Sequence, residues 1–289
     1  HSLVYPVHLT STPLRHSLWT SDMSILIKSL LVLIVSIIVV HAVYIGYVRP
    51  EAALALEFAK QAGQSAPRDL VVILKDYEQE ICVILMVWGI YLVIGKCAVI
   101  LKDRYLFDVD LIEESSAKSG DLISALASLE SLPAKVRETP LVRSLMASLR
   151  RFLITSDVHN TSESVESSVE ALALKHEAEN SMIRYLIWAI PSIGFIGTVR
   201  GIGQALSQAD QALAGDITGM TDSLGVAFNS TLVALLISIG LMFMFHQLQR
   251  LQDGLLVDLQ EYCEAFLLNR ISSVDLERLV DKTETETKI

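Results

Sequence analysis

At 289 residues, 52% hydrophobic and only 19% charged, the chain is too apolar for an ordinary soluble domain of its size. A net charge of −10, with no basic patch among aromatics, argues against a nucleic-acid partner, which requires a basic face. Three cysteines, Cys82, Cys97 and Cys263, stand too far apart for a disulfide framework or a metal-ligand cluster and are expected to be buried structural thiols.

Residues 1–22 are polar, contain proline and show no helical period, so they are expected to form a disordered or non-native leader ahead of Met23. Residues 24–48 form the first apolar run. It exceeds the roughly 20 helical residues that cross a hydrocarbon core of about 30 Å. It is also too long for a signal-peptide core and lacks a small-x-small cleavage site, so a retained anchor is expected. An external connection over 49–80 leads to a second span at 81–101, and residues 23–101 thus make two N-terminal transmembrane helices.

Residues 102–180 have helical spacing throughout. Leu122, Ala125, Leu126 and Leu129 form one stripe, which ends at Pro133. Leu141, Leu145, Met146, Leu149 and Phe152 form a second after Pro140. Ser119-Gly120-Asp121 is a turn and N-cap candidate before the first stripe, and a third helix starts near Ser156 or Asp157 and runs into the membrane. The third span covers 181–206 despite Arg200, and a short acidic loop with Asp210, Asp216 and Asp222 leads to the fourth at 224–245. Leu248, Leu251, Leu255, Leu259, Tyr262 and Phe266 carry the period on through 246–280, before a disordered tail at 281–289. The connection 102–180 holds nine Lys and Arg and the loop 207–223 none, which places the long connection and both termini in the cytoplasm. The expected fold is an all-α integral membrane protein with four transmembrane helices, the last two extended into a cytoplasmic helical bundle.

The last two spans, 181–245, each carry one stripe of small and hydroxylated residues and no carboxylate. Pro191, Gly194, Thr198, Gly201 and Ala205 share a helix face in the third; Ala227, Thr231, Ala234 and Ser238 share one in the fourth. Lipid gives no reason for such stripes, whereas close helix packing or a narrow polar passage does. Thr198, Thr231, Ser238, Ala227, Ala234, Gly194 and Gly201 are the expected pore-lining residues, although threonines also bond back to their own helix. Pro191 removes a backbone donor and is the expected helix bend, leaving a carbonyl that needs a partner. Arg200 lies about 200° around the helix from Thr198 and has three open roles: snorkelling, contact with a neighbouring subunit, or pairing with a partner's acid. Asn229 and Ser230 are expected to face an adjoining subunit, and Lys96 to snorkel. No catalytic, metal-binding or cofactor motif is found: Gly201-Ile202-Gly203 lacks the third glycine of a dinucleotide fingerprint and follows apolar helix, and the seven histidines are scattered.

The run Pro191-Ser-Ile-Gly-Phe-Ile-Gly-Thr-Val-Arg-Gly-Ile-Gly-Gln-Ala-Leu206 resembles the signature of the MotA/TolQ/ExbB proton-channel family, and Ala227-Phe-Asn-Ser-Thr-Leu-Val-Ala-Leu235 resembles its second pore motif. The likeness covers about residues 119–270; Arg200 departs from it, standing where a large apolar residue is common. It implies a pentameric ring of identical subunits around a single-span partner of the MotB/TolR/ExbD kind. That partner would supply an intramembrane Asp, because neither stripe offers Asp, Glu or His. The implied function is proton conduction in a stator-like inner-membrane complex that converts proton-motive force into mechanical work. The alternative is a non-conducting membrane scaffold whose cytoplasmic bundle recruits a partner.

Overall fold

The computed structural model describes residues 14–62, 67, 69–108 and 122–268, and among them every regular element is helical. The helices are α1 (Leu14–Val43), α2 (Arg49–Gln61), α3 (Leu70–Leu74), α4 (Tyr77–Asp103), α5 (Leu122–Ser131), α6 (Ala134–Arg137), α7 (Pro140–Thr155), α8 (Val158–Glu179), α9 (Ser181–Ser207), α10 (Ala209–Leu213) and α11 (Thr218–Tyr262). Four continuous stretches are long and apolar enough to cross a membrane: Ile27–Gln61, Tyr77–Phe107, Val158–Ser207 and Thr218–Ala265. Each contains or nearly contains one expected span and extends past it.

The extensions have local causes. A π-helical turn, Tyr44–Val48, joins α1 to α2 and ends two residues before Pro50. Widening the helix by one residue relieves the clash between a proline ring and the carbonyl four residues back. The chain therefore stays helical to Gln61 where a connection was expected from residue 49. Likewise α1 begins at Leu14, inside the stretch expected to be irregular. α8 passes into α9 through Asn180, whose backbone keeps the helical conformation: Asn180 N–H donates to His176 O at 3.0 Å and Arg184 N–H to Asn180 O at 3.1 Å. α11 alone, at 45 residues, is about 67 Å long at 1.5 Å per residue. Asp216 opens it by accepting the Thr218 N–H at 3.1 Å, and that bond holds its carboxyl below the usual range. The remainder of the leader, the Ser119-Gly120-Asp121 cap and the tail 281–289 lie outside the described residues.

Two compact units share these helices, one running to Leu92 and including Leu186–Leu241, the other comprising Val93–Tyr185 and the chain from Met242. In the first, Val40, Tyr44 and Val48 pack on Ile84 of α4, while Phe195, Phe228 and Ile38 expose most of their surface. Such an outward apolar surface suits lipid or a neighbouring chain rather than water.

The second unit has a core of its own. The stripes of α5 and α7 bury Leu129, Leu145, Leu149 and Phe152 together with Val165 of α8 and Leu259 of α11. Pro140 occupies the first turn of α7, where its missing N–H is harmless; Ser156, in the left-handed conformation, ends the helix. Asp157 then caps α8 by accepting the His159 N–H at 2.9 Å. Lys96, expected to snorkel, instead pairs with Glu179 at 2.8 Å.

Candidate functional site

α9 and α11 meet along their small-residue faces. A Cβ on Gly194 would stand 2.5 Å from Ala234 Cβ, and one on Gly201 would stand 2.7 Å from the backbone nitrogen of Ala227. Ala227 and Ala234 are themselves fully buried. Gly194, Gly201, Ala227 and Ala234 therefore form the contact between two helices of one chain; within it they leave no passage, because glycine and alanine have let the backbones close on one another.

The hydroxyls do different work. Thr198 Oγ1 lies in hydrogen-bond contact with Thr231 Oγ1, 3.1 Å from Ala227 O and 3.3 Å from Gly194 O. Thr231 Oγ1 in turn lies 3.3 Å from Gly194 O. The two threonines bridge the helices at matching depth and remain half-buried. Ser238 donates to Ile187 O at 2.9 Å. Ile187 is the residue four before Pro191, so α11 supplies the hydrogen bond that the proline ring denies to α9. α9 runs as one helix through Pro191, and the serine expected beside a passage is the partner that the freed carbonyl needed.

α4 adds groups that the sequence pattern assigns to the external connection. Glu78 is 8% exposed, Gln79 0% and Glu80 5%. Arg200 Nε lies 2.7 Å from Glu78 Oε1, its Nη2 donates to Oε2 at 2.8 Å, and Asp76 Oδ1 is 3.9 Å away. Glu80 turns to α1 and α2, meeting His41 Nδ1 and Arg49 Nη2, each at 2.5 Å, while the Arg49 guanidinium stacks 4.3 Å over the Tyr77 ring. Gln79 donates to Ser230 Oγ at 3.3 Å, so Ser230 is buried within its own chain, not turned to an adjoining subunit. Its neighbour Asn229 is half-buried. The one signal in the sequence for these acids is Arg200, since a cation in an apolar run requires a counter-charge. Cys82, also on α4, is buried with Sγ 3.7 Å from Ile190 O; Cys263 is buried and Cys97 half-buried.

Chemically, the α9–α11 face offers two hydroxyls that donate and accept but do not titrate, with carboxylates held in ion pairs on α4 beside it. Among the described residues no cluster of three His, Cys, Asp or Glu has metal-binding geometry. Four helices long and apolar enough to cross a membrane, with paired hydroxyls where two of them touch, define a multi-pass membrane protein. Residues 136–261 match the model of the MotA/TolQ/ExbB proton channel family, and over that segment, just under half of the chain, the protein carries a domain of this family. The match runs from α6 through α11 and takes in both motifs that carry the resemblance. The family is one of proton channels rather than enzymes, and its members work in complexes with single-span partners. No curated protein matches the chain.

Proposed function

We propose that the chain is the proton-conducting subunit of an energy-transducing complex of stator type in a bacterial inner membrane. Identical copies, five in the family's pattern, ring a single-span partner of the MotB/TolR/ExbD kind whose intramembrane Asp carries the proton. Thr198 and Thr231 stabilise that carboxylate or the water beside it. The helices within 122–180 and the chain from 246 to 268 form a cytoplasmic bundle, and both termini are cytoplasmic.

The hydroxyl pair carries this reading: Thr198 and Thr231 keep part of their surface free where the glycines and alanines around them are sealed. The absence of a titratable side chain from both stripes agrees with it, because the proton then rides on the partner. One observation favours the scaffold reading instead. Both threonine hydroxyls are satisfied inside the chain by the carbonyls of Gly194 and Ala227, as a purely structural clasp would be.

Thr198→Val and Thr231→Val separate the two, since valine keeps the shape and removes the hydroxyl. Proton entry into membrane vesicles of the native host, which supplies its own partner, is measured against a strain lacking the chain. Conduction through the hydroxyls predicts that each variant loses at least about tenfold of the chain-dependent flux, as removal of a single well-placed polar group does in other sites. Unchanged flux, with the complex intact, would leave only the scaffold.

A further inference from the structure

In the second unit α7 and α8 pack through their apolar sides, where Leu145, Leu149 and Val165 are buried, and both turn charge outward. On α8, Glu163, Glu166 and Glu170 recur at steps of three and four and so share one exposed face. Leu174, 61% exposed, continues that face by one turn. On α7, Arg143 and Arg150 share an exposed face about Ala147, with Arg151 at its edge. Among the described residues no ion pair engages Glu163, Glu166, Glu170, Arg143 or Arg151; Arg150 alone has a partner, Glu130 of α5 at 2.6 Å. The spacings match. Arg143 and Arg150 stand about two turns apart, as do Glu163 and Glu170, so two pairs can form at once when the faces meet. Within one chain they do not meet, because α7 and α8 already touch along their buried sides.

We propose that the basic face of α7 in one copy docks on the acidic face of α8 in a second copy of this chain. This inference rests on the ring of identical copies proposed above and names the faces that join neighbours. A second copy is the occupant because one chain carries both halves of the complementary pair at the same spacing; a basic partner would answer α8 alone, and an acidic one α7 alone. The faces lie on different helices, so the contact is heterologous, and each copy keeps one face of either sign for a further neighbour. Leu174 supplies an apolar anchor within the charged row. Exposed ion pairs are individually weak, but chains confined to one membrane meet at high local concentration, so the contact orients copies rather than gathers them.

The test co-expresses two differently tagged full-length copies in the native host, one carrying Ala147→Cys on α7 and the other Ser167→Cys on α8, both at exposed positions. A bismaleimide with a short spacer is applied to permeabilised membranes, and native gels of the same membranes report whether copies associate. Wild-type chains, with Cys82 and Cys263 buried and Cys97 half-buried, set the background. The expected result is a mixed cross-linked dimer at least about fivefold above either pairing of like cysteines. Arg143→Glu with Arg151→Glu in the first copy should lower it about fivefold, since like charges then face each other, and Glu163→Arg with Glu170→Arg in the second copy should restore it. Misfolded chains could not recover in this matched way. An associated complex whose mixed cross-link is no stronger than the like pairings, ignores the reversals or is not restored by the matched pair overturns this contact and leaves the ring in place. Capture of the Ser167→Cys copy by a different protein instead of a second copy assigns the face to that partner and overturns the contact too. Chains that run as single copies overturn the ring and this inference together.

Discussion

Ser238 shows how one side chain settles whether a proline is tolerated in a membrane helix. Pro191 deprives Ile187 O of its intrahelical donor, and in hydrocarbon no water replaces it. The Ser238 hydroxyl does so at 2.9 Å. Ser238→Ala is expected to lower stability by about 1–2 kcal/mol, the cost of an orphaned carbonyl less what relaxation recovers. In a Pro191→Ala background the new N–H bonds to Ile187 O, and the serine should then contribute less than about 0.5 kcal/mol. Unfolding of the four proteins in detergent measures the coupling. Equal serine effects in both backgrounds would show that Ser238 does not replace the proline's missing donor.

Between elements, the spacing of α9 and α11 depends on which glycines face the contact. Gly201 and Gly203 are two residues apart on one helix, yet a Cβ on Gly201 would meet the Ala227 backbone at 2.7 Å while one on Gly203 would have nothing within 4 Å. Backbone cannot step aside as a flexible side chain can. Gly201→Ala should therefore force the helices apart, at about 1–3 kcal/mol, and disturb the hydroxyl pair one turn away. Gly203→Ala should be neutral or stabilising by up to about 1 kcal/mol, because alanine is the better helix former. Unfolding temperatures of the two variants give the comparison, and a Gly201→Ala chain as stable as wild type would rule out the close contact. At the other end of the chain, the π-turn before Pro50 extends the first membrane-crossing helix to Gln61.

For the whole molecule, the open question with a direct test is which side of the membrane each unit's exposed residues face. Leu213, in the acidic connection, is 86% exposed, and Ile154, at the end of α7, is 81% exposed. With the lysine- and arginine-rich region in the cytoplasm, a cysteine at Leu213 should react with a membrane-impermeant maleimide in intact cells. A cysteine at Ile154 should react only after lysis. The wild-type chain supplies the background, since its own Cys82 and Cys263 are buried. The reverse pattern would invert the proposed topology and place the bundle outside.

Much of this architecture is legible residue by residue. Hydropathy marks the four membrane-crossing stretches, and the 3.6-residue period marks α5, α7 and the small-residue faces of α9 and α11, because these are properties of a helix and its immediate neighbours. The need for a partner at the carbonyl before Pro191, and for a counter-charge to Arg200, also follows from the chain alone. Which residues answer those needs does not. Ser238 is 51 residues from Ile187 and Glu78 is 122 from Arg200, and no periodicity links positions so far apart. The same holds for Ser230, turned inward by Gln79. The sequence by itself thus determined the helices, their polar faces and the groups left wanting. Tertiary packing alone decided the pairings, because α4 must first lie against α9 before a buried carboxylate can meet a guanidinium.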